Sequence, residues 1–112
     1  MSVSLGIYKG KRFDIFASQF IADVPVSFQT VWDNVWSKAI SECGIRLFSI
    51  NNDFVVNDIP AVLAELGTIC HWSGDNISKD TPYIQNRIGE LKEYLSRFYQ
   101  EHKDEDYWFD LG

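Results

Sequence analysis

Residues 27–43, SFQTVWDNVWSKAISEC, contain the clearest structural pattern in this chain of 112 residues. Apolar side chains recur there at steps of three and four residues, which places them on one face of an α-helix. They are Phe28, Val31, Trp32, Val35, Trp36, Ala39, Ile40 and Cys43. Ser27 can cap the first turn, and Gly44 supplies the left-handed residue that commonly follows a helix. The pattern predicts a core helix over residues 27–43.

A second helix is predicted after residue 56. Asn57 and Asp58 are possible N-caps, Pro60 suits the first turn, and apolar residues then recur as far as Trp72. Residues 73–76 combine serine, glycine, aspartate and asparagine, which predicts a loop.

A third helix is predicted to begin at Asp80 or Thr81, with Pro82 in its first turn, and to run to about His102. Its apolar stripe consists of Ile84, Ile88, Leu91, Leu95 and Phe98.

The other segments are less regular. Short apolar runs at 45–50 and 54–56 surround the turn-forming residues 51–53 and predict a small hairpin. The N-terminal stretch allows either a hairpin that turns at 9–11 or a helix over 12–22. The helix is favoured by the spacing of Phe13, Phe16, Phe20 and Ile21.

The order of these elements indicates a single domain over residues 1–112. Neither a repeat nor a linker rich in Pro, Gly and Ser interrupts the series, and an apolar content of 46% is sufficient for one core. We expect a mainly α fold, a compact helical domain with at most a small β-hairpin.

The charge balance restricts the class of partner. Sixteen acidic and ten basic residues give a net charge of −6, which repels phosphate groups at long range. Nucleic acids and anionic membranes are therefore not expected as partners. A basic protein would be attracted to this surface, and such attraction accelerates association.

The expected location is the cytoplasm. The first residues lack a basic stretch followed by an apolar one, and the sequence contains no apolar run long enough to span a bilayer. Cys43 and Cys70 lie in apolar surroundings, where a cysteine usually packs as a small hydrophobe. We do not expect a disulfide between them.

The sequence offers little for catalysis. His71 and His102 fall on two different predicted helices, and neither belongs to a metal-ligand motif. Cys70 and His71 are adjacent in a helix, so their side chains diverge, and core packing explains Cys70 better than a thiol nucleophile. The glycines form no phosphate-binding loop. We therefore predict a non-enzymatic protein without a cofactor or a metal.

Binding residues are predicted from charge and aromatic content. Asp104, Glu105 and Asp106 precede three aromatic residues, and acidic groups beside rigid rings are typical of interfaces. The same rings would equally serve to cap the core, with one ring buried and another exposed. Trp108 is the ring predicted to contact a partner. Asp75, in the predicted loop, completes the set of candidate binding residues.

The middle of the chain resembles a known family. The similarity is carried by ECGIRLFS at 42–49, NDF at 52–54, DIP at 58–60, Glu65 with Leu66, and Trp72. In these residues the chain resembles small bacterial immunity proteins of contact-dependent growth inhibition systems.

The resemblance implies a cytoplasmic protein that binds the C-terminal toxin domain of a large exported effector, usually a nuclease. It further implies that binding blocks the toxin's active site or substrate surface, but it assigns no individual binding residue. The alternative from another class is a small regulatory or adaptor subunit that docks through an apolar helical face.

Overall fold

The computed structural model describes residues 2–12, 14 and 16–112 and consists of a four-stranded antiparallel sheet and three helices. The strands are β1 (Ser2–Lys9), β2 (Gln19–Phe28), β3 (Asp53–Val55) and β4 (Tyr107–Leu111), in the order β2-β1-β4-β3. The prediction of a mainly α fold is therefore wrong, and the domain is α+β. Strands β1 and β4 form the centre of the sheet. Strand β1 belongs to the N-terminal hairpin that the sequence allowed as the alternative to a helix over 12–22, whereas β4 was not predicted.

The helices agree more closely with the sequence. Helix α1 joins three segments, α-helical at Gln29–Val31, π-helical at Trp32–Trp36 and α-helical at Ser37–Cys43. Gly44 ends it with a φ of 66°, as predicted. Ser27 does not cap this helix; it lies in β2, and its hydroxyl donates to the Phe28 carbonyl oxygen.

Helices α2 and α3 also follow the predicted apolar stripes. Helix α2 (Ile59–Asp75) continues three residues beyond the predicted end, so residues 73–75 are helical rather than part of a loop. A short 3-10 turn, Val56–Asp58, precedes it. Helix α3 (Thr81–His102) has the predicted bounds.

The prediction of a helix over 12–22 is wrong. Residues 19–22 belong to β2, and β1 and β2 form a hairpin whose loop spans residues 10–18. Phe16 is 98% exposed and Phe20 is 56% exposed, so the helical spacing of these rings does not mark a buried stripe. Phe13, which supported the same prediction, lies outside the described residues.

The predicted hairpin around 51–53 is also wrong. Residues 45–50 form bends and turns without a strand of their own in the described chain, whereas Asp53–Val55 pairs with β4. The loop is held instead by Glu65, whose carboxylate accepts hydrogen bonds from the backbone N–H groups of Arg46, Leu47 and Phe48 at 2.9–3.2 Å. A side chain of α2 therefore takes the place of a strand partner.

One buried cluster joins the helices to one face of the sheet. The sheet contributes Val3, Leu5, Ile7, Val26, Phe54, Tyr107, Phe109 and Leu111. Along β1 these residues alternate with Ser4, Gly6 and Tyr8, because successive side chains of a strand point to opposite faces. The face that carries Ser4, Gly6 and Tyr8 is called the outer face below.

Candidate functional site

A row of aromatic residues crosses the outer face. The strand register aligns the aromatic residues Phe20, Tyr8 and Trp108 on three neighbouring strands, and the aliphatic Val55 continues the row on the fourth strand. The rings of Tyr8 and Trp108 are stacked, with centroids 4.3 Å apart and planes inclined by 13°. Phe20 meets Tyr8 edge to face at 5.5 Å. These contacts hold Tyr8 and Phe20 in defined positions at the surface.

An acidic row runs parallel to the aromatic row. It consists of Asp23, Gly6, Asp110 and Asp53, again one residue from each strand. Arg12 crosses from the hairpin loop and neutralises Asp53, donating to its carboxylate and, at 2.8 Å, to its backbone carbonyl oxygen. Both Asp23 and Asp110 are exposed, and within the described residues neither forms an ion pair.

A shallow pocket of about 170 Å³ lies over Gly6. Its wall residues are Ser4, Tyr8, Phe20, Asp23, Asp110 and Gly112. A Cβ atom at residue 6 would lie 3.3 Å from Cε2 of Tyr8 and 3.7 Å from the Asp110 carbonyl oxygen. Glycine therefore leaves room both for the Tyr8 ring and for the floor of the pocket. The Ser4 hydroxyl donates to Asp23 Oδ2 at 3.1 Å and orients that carboxylate.

Exposed apolar side chains are concentrated on the hairpin. Phe16, Phe20, Ile21 and Phe28 are exposed by 98%, 56%, 45% and 64%, respectively. Large exposed apolar groups are characteristic of contact surfaces when they lie together. Phe20, in the aromatic row, places part of this apolar surface next to Asp23 and the pocket.

Trp108 lies on the outer face, but mostly beneath other groups. It is only 8% exposed, because Tyr8 stacks on its ring and its Nε1 donates to Ser18 Oγ at 3.0 Å. The alternative in which these rings cap the core applies to Tyr107 and Phe109, whereas the partner contact of Trp108 stays a prediction. Tyr107 and Phe109 face the core, whereas Trp108 supports the outer face.

The predicted acidic residues occupy two separate places. Asp104, Glu105 and Asp106 are exposed in the connection between α3 and β4, where the Asp106 carbonyl oxygen accepts from the Gly10 N–H at 2.9 Å. Asp75 lies near the other end of α3, which is about 33 Å long at 1.5 Å per residue. Its carboxylate is 3.4 Å from His71 Nε2. These residues therefore do not form one continuous surface.

The sequence pattern did not predict the outer face as a binding site. Tyr8, Asp23 and Asp110 meet only through the sheet register, and the sequence separates them by up to about a hundred residues. The available signal was the alternation in β1, where Val3, Leu5 and Ile7 alternate with smaller or polar residues.

The groups that could support chemistry are dispersed. Both cysteines are free and half-buried. Burial, and to a smaller extent the negative charge of Glu42, raises the pKa of the Cys43 thiol. Across the described part of the chain, no three His, Cys, Asp or Glu side chains are grouped so that they could hold a metal ion. None of the described helices combines the length and apolarity that crossing a bilayer requires.

Comparison with protein-family models, curated proteins and solved structures finds no match to this chain.

Proposed function

We propose that this protein binds and neutralises a basic protein in the cytoplasm, and that this partner is the cognate toxin domain of a contact-dependent growth inhibition system. The outer face is the proposed contact surface. The observation that carries the proposal is the exposure of Asp23 and Asp110, without a basic counterpart among the described residues, beside the stacked rings of Tyr8 and Trp108.

The aromatic row supports a protein as the partner. Aromatic side chains provide much of the binding energy at interfaces, and rings that are already ordered lose little conformational entropy on binding. Tyr8 rests on Trp108, which Ser18 holds through a hydrogen bond. The surface is therefore organised before a partner arrives.

The charge supports a basic partner. A net charge of −6 attracts cations from a distance, and this attraction raises the association rate more than the final affinity. Asp104, Glu105 and Asp106 lie beside the hairpin loop, and Glu105 and Asp106 border one pocket together with the basic residues Lys11 and Arg12. We assign them to steering and the outer face to contact.

The adaptor alternative has less support. It requires an apolar helical face, yet in the described helices Tyr94 is the only large apolar side chain that is exposed, at 38%. The exposed apolar groups of the hairpin favour contact through the sheet. Salt dependence distinguishes the two functions, because apolar docking changes little with ionic strength.

The test is co-expression with the C-terminal domain of the polypeptide encoded directly upstream, followed by toxicity and co-purification assays. Rescue of growth together with a stable complex is expected. In the same assays, the double variant Asp23→Lys with Asp110→Lys should lose the rescue of growth. The control, Asp33→Lys with Glu93→Lys, makes the same change of charge on exposed helical positions and should retain it.

Growth arrest that persists with the wild-type protein, without complex formation, would contradict the proposed function. Equal loss of rescue in the outer-face and control variants would contradict only the assignment of the contact surface.

A further inference from the structure

We propose that the pocket over Gly6 on the outer face receives an arginine side chain of the protein's partner. The identity of the occupant rests on the proposed function, whereas the chemistry of the pocket depends only on residues of this chain.

The strand register sets the spacing of the two carboxylates. Asp23 and Asp110 both align with Gly6, on the strands to either side of it. Neighbouring strands lie about 4.8 Å apart, so the Cα atoms of the two aspartates are about 9.5 Å apart. The Tyr8 ring covers Gly6, so a guanidinium group that enters the pocket beside this ring would lie between the two carboxylates.

The same acidic row already contains one guanidinium group. Arg12 binds Asp53, the aspartate at the other end of the row, through both the carboxylate and the backbone carbonyl oxygen. Asp23 and Asp110 offer a second position of similar chemistry, for which the described residues supply no cation. Like charges near one another on a sheet face destabilise it, and an incoming cation would relieve that repulsion.

The walls of the pocket favour arginine over lysine. Tyr8 and Phe20 border it, and a planar guanidinium stacks on aromatic rings while it binds carboxylates. The Ser4 hydroxyl orients Asp23 before binding. The Tyr8 hydroxyl lies 3.6 Å from the position that a Cβ of residue 6 would occupy and can accept one further N–H hydrogen bond.

The test uses short peptides as probes of the intact protein, monitored by the amide resonances of a ¹⁵N-labelled sample. The probes are acetyl-Gly-Arg-Gly-amide, its lysine analogue, and its citrulline analogue, which has the shape of arginine without the charge. The arginine peptide should shift the amides of Gly6, Asp23 and Asp110 with a Kd in the range of about 1 to 10 mM. The lysine peptide should bind several-fold more weakly, and the citrulline peptide should not bind.

Two variants test the pocket itself. Asp23→Asn with Asp110→Asn should weaken binding of the arginine peptide about tenfold or more. Gly6→Ala retains every charge, but its methyl group would lie 3.3 Å from Cε2 of Tyr8 and displace the ring that borders the pocket, so it should also weaken binding. The control, Asp33→Asn with Glu93→Gln, removes the same charge from exposed helical positions and should have little effect.

Shifts confined to residues 104–106, or equal binding of the arginine and citrulline peptides, would overturn the inference. An unchanged affinity in both pocket variants would do the same. These outcomes leave the proposed function standing if growth rescue succeeds. Conversely, arginine binding at the pocket without rescue by the wild-type protein would refute the proposed function and retain the pocket.

Discussion

Trp108 lies between two parts of the hairpin, stacked on Tyr8 at 4.3 Å and hydrogen-bonded through Nε1 to Ser18 at 3.0 Å. This arrangement assigns Trp108 a structural role at a position where the sequence predicted a partner contact. The ring fixes the start of β2 against β4, although these strands are not neighbours in the sheet.

Replacement of Trp108 is expected to reduce stability. Trp108→Ala should lower the free energy of unfolding by about 3 to 5 kcal/mol, because a large, nearly buried ring is removed. Trp108→Phe keeps much of the stack and loses the hydrogen bond, which should cost about 1 to 2 kcal/mol. Urea denaturation measures both changes. Phe16→Ala, at a ring that is 98% exposed, is the control and should change stability by less than about 0.5 kcal/mol.

Glu65 should contribute more stability than a surface glutamate. Glu65→Ala leaves the backbone N–H groups of Arg46, Leu47 and Phe48 without their acceptor, and we expect a loss of about 2 kcal/mol. Glu65→Gln retains one acceptor oxygen and should lose about half as much. Thermal or urea unfolding provides the measurement.

Glu93→Ala is the matched control for Glu65. Its carboxylate forms an exposed i,i+4 pair with Arg97, and such pairs contribute only about 0.3 to 0.5 kcal/mol. Equal losses at Glu65 and Glu93 would contradict the proposed role of Glu65 in fixing residues 46–48.

Steering by residues 104–106 predicts a kinetic phenotype. The triple change of Asp104, Glu105 and Asp106 to Lys should slow association with the basic partner at low ionic strength. The difference should diminish as salt is added, while the dissociation rate changes little, because the Debye length falls to about 8 Å at physiological salt. Stopped-flow or surface plasmon resonance measurements resolve the two rates. An unchanged association rate at low salt would show that these residues do not steer.

Cys43 should react slowly with alkylating agents. Burial and the neighbouring Glu42 carboxylate both disfavour the thiolate, so the pKa of Cys43 is raised and the reactive fraction near neutral pH is reduced. The pKa of Cys43 is therefore higher in the folded state than in the unfolded state. The contribution of this group to the free energy of unfolding is present at low pH and is lost as the pH rises through the raised pKa.

The corresponding measurement is the pH dependence of iodoacetamide labelling, with the modified peptide identified by mass spectrometry. The midpoint for Cys43 should lie above that of an unstructured cysteine peptide, about 8.5. Glu42→Gln should lower the midpoint by only part of the shift, because the charge of Glu42 raises the pKa less than burial does. A midpoint below that of the peptide would contradict the burial of the thiol.

The helices were predictable because their signals are local. The apolar spacing in α1 and the positive φ of Gly44 depend on neighbouring residues only. In α3, proline in the first turn and a single stripe of aliphatic residues define both ends of the helix. The interpretation was therefore accurate to a few residues for these three helices, whereas the same kind of spacing was misleading over 12–22, where residues 19–22 belong to β2.

The sheet and the site were not predictable in the same way. Strand β3 has three residues, too few for a period to be visible, and Gly6 interrupts the β-forming character of β1. In strand β4 the outer-face residue Trp108 is apolar and covered, so Asp110 is the one position at which its alternation is visible. The outer face combines residues from four strands, and its composition follows from a strand register that a single sequence does not reveal.

The position of β4 between β1 and β3 has a consequence for biosynthesis. Leu5 pairs with Leu111, so β1 gains its second neighbour only after residue 111 has been translated. Contacts over such long sequence separations slow folding, and until they form, the apolar side of the nascent hairpin stays accessible to other chains. The sheet of this domain is thus expected to be completed only after β4 has been synthesised, and the yield of folded protein in the cell should depend more strongly on chaperone capacity than that of a purely helical domain.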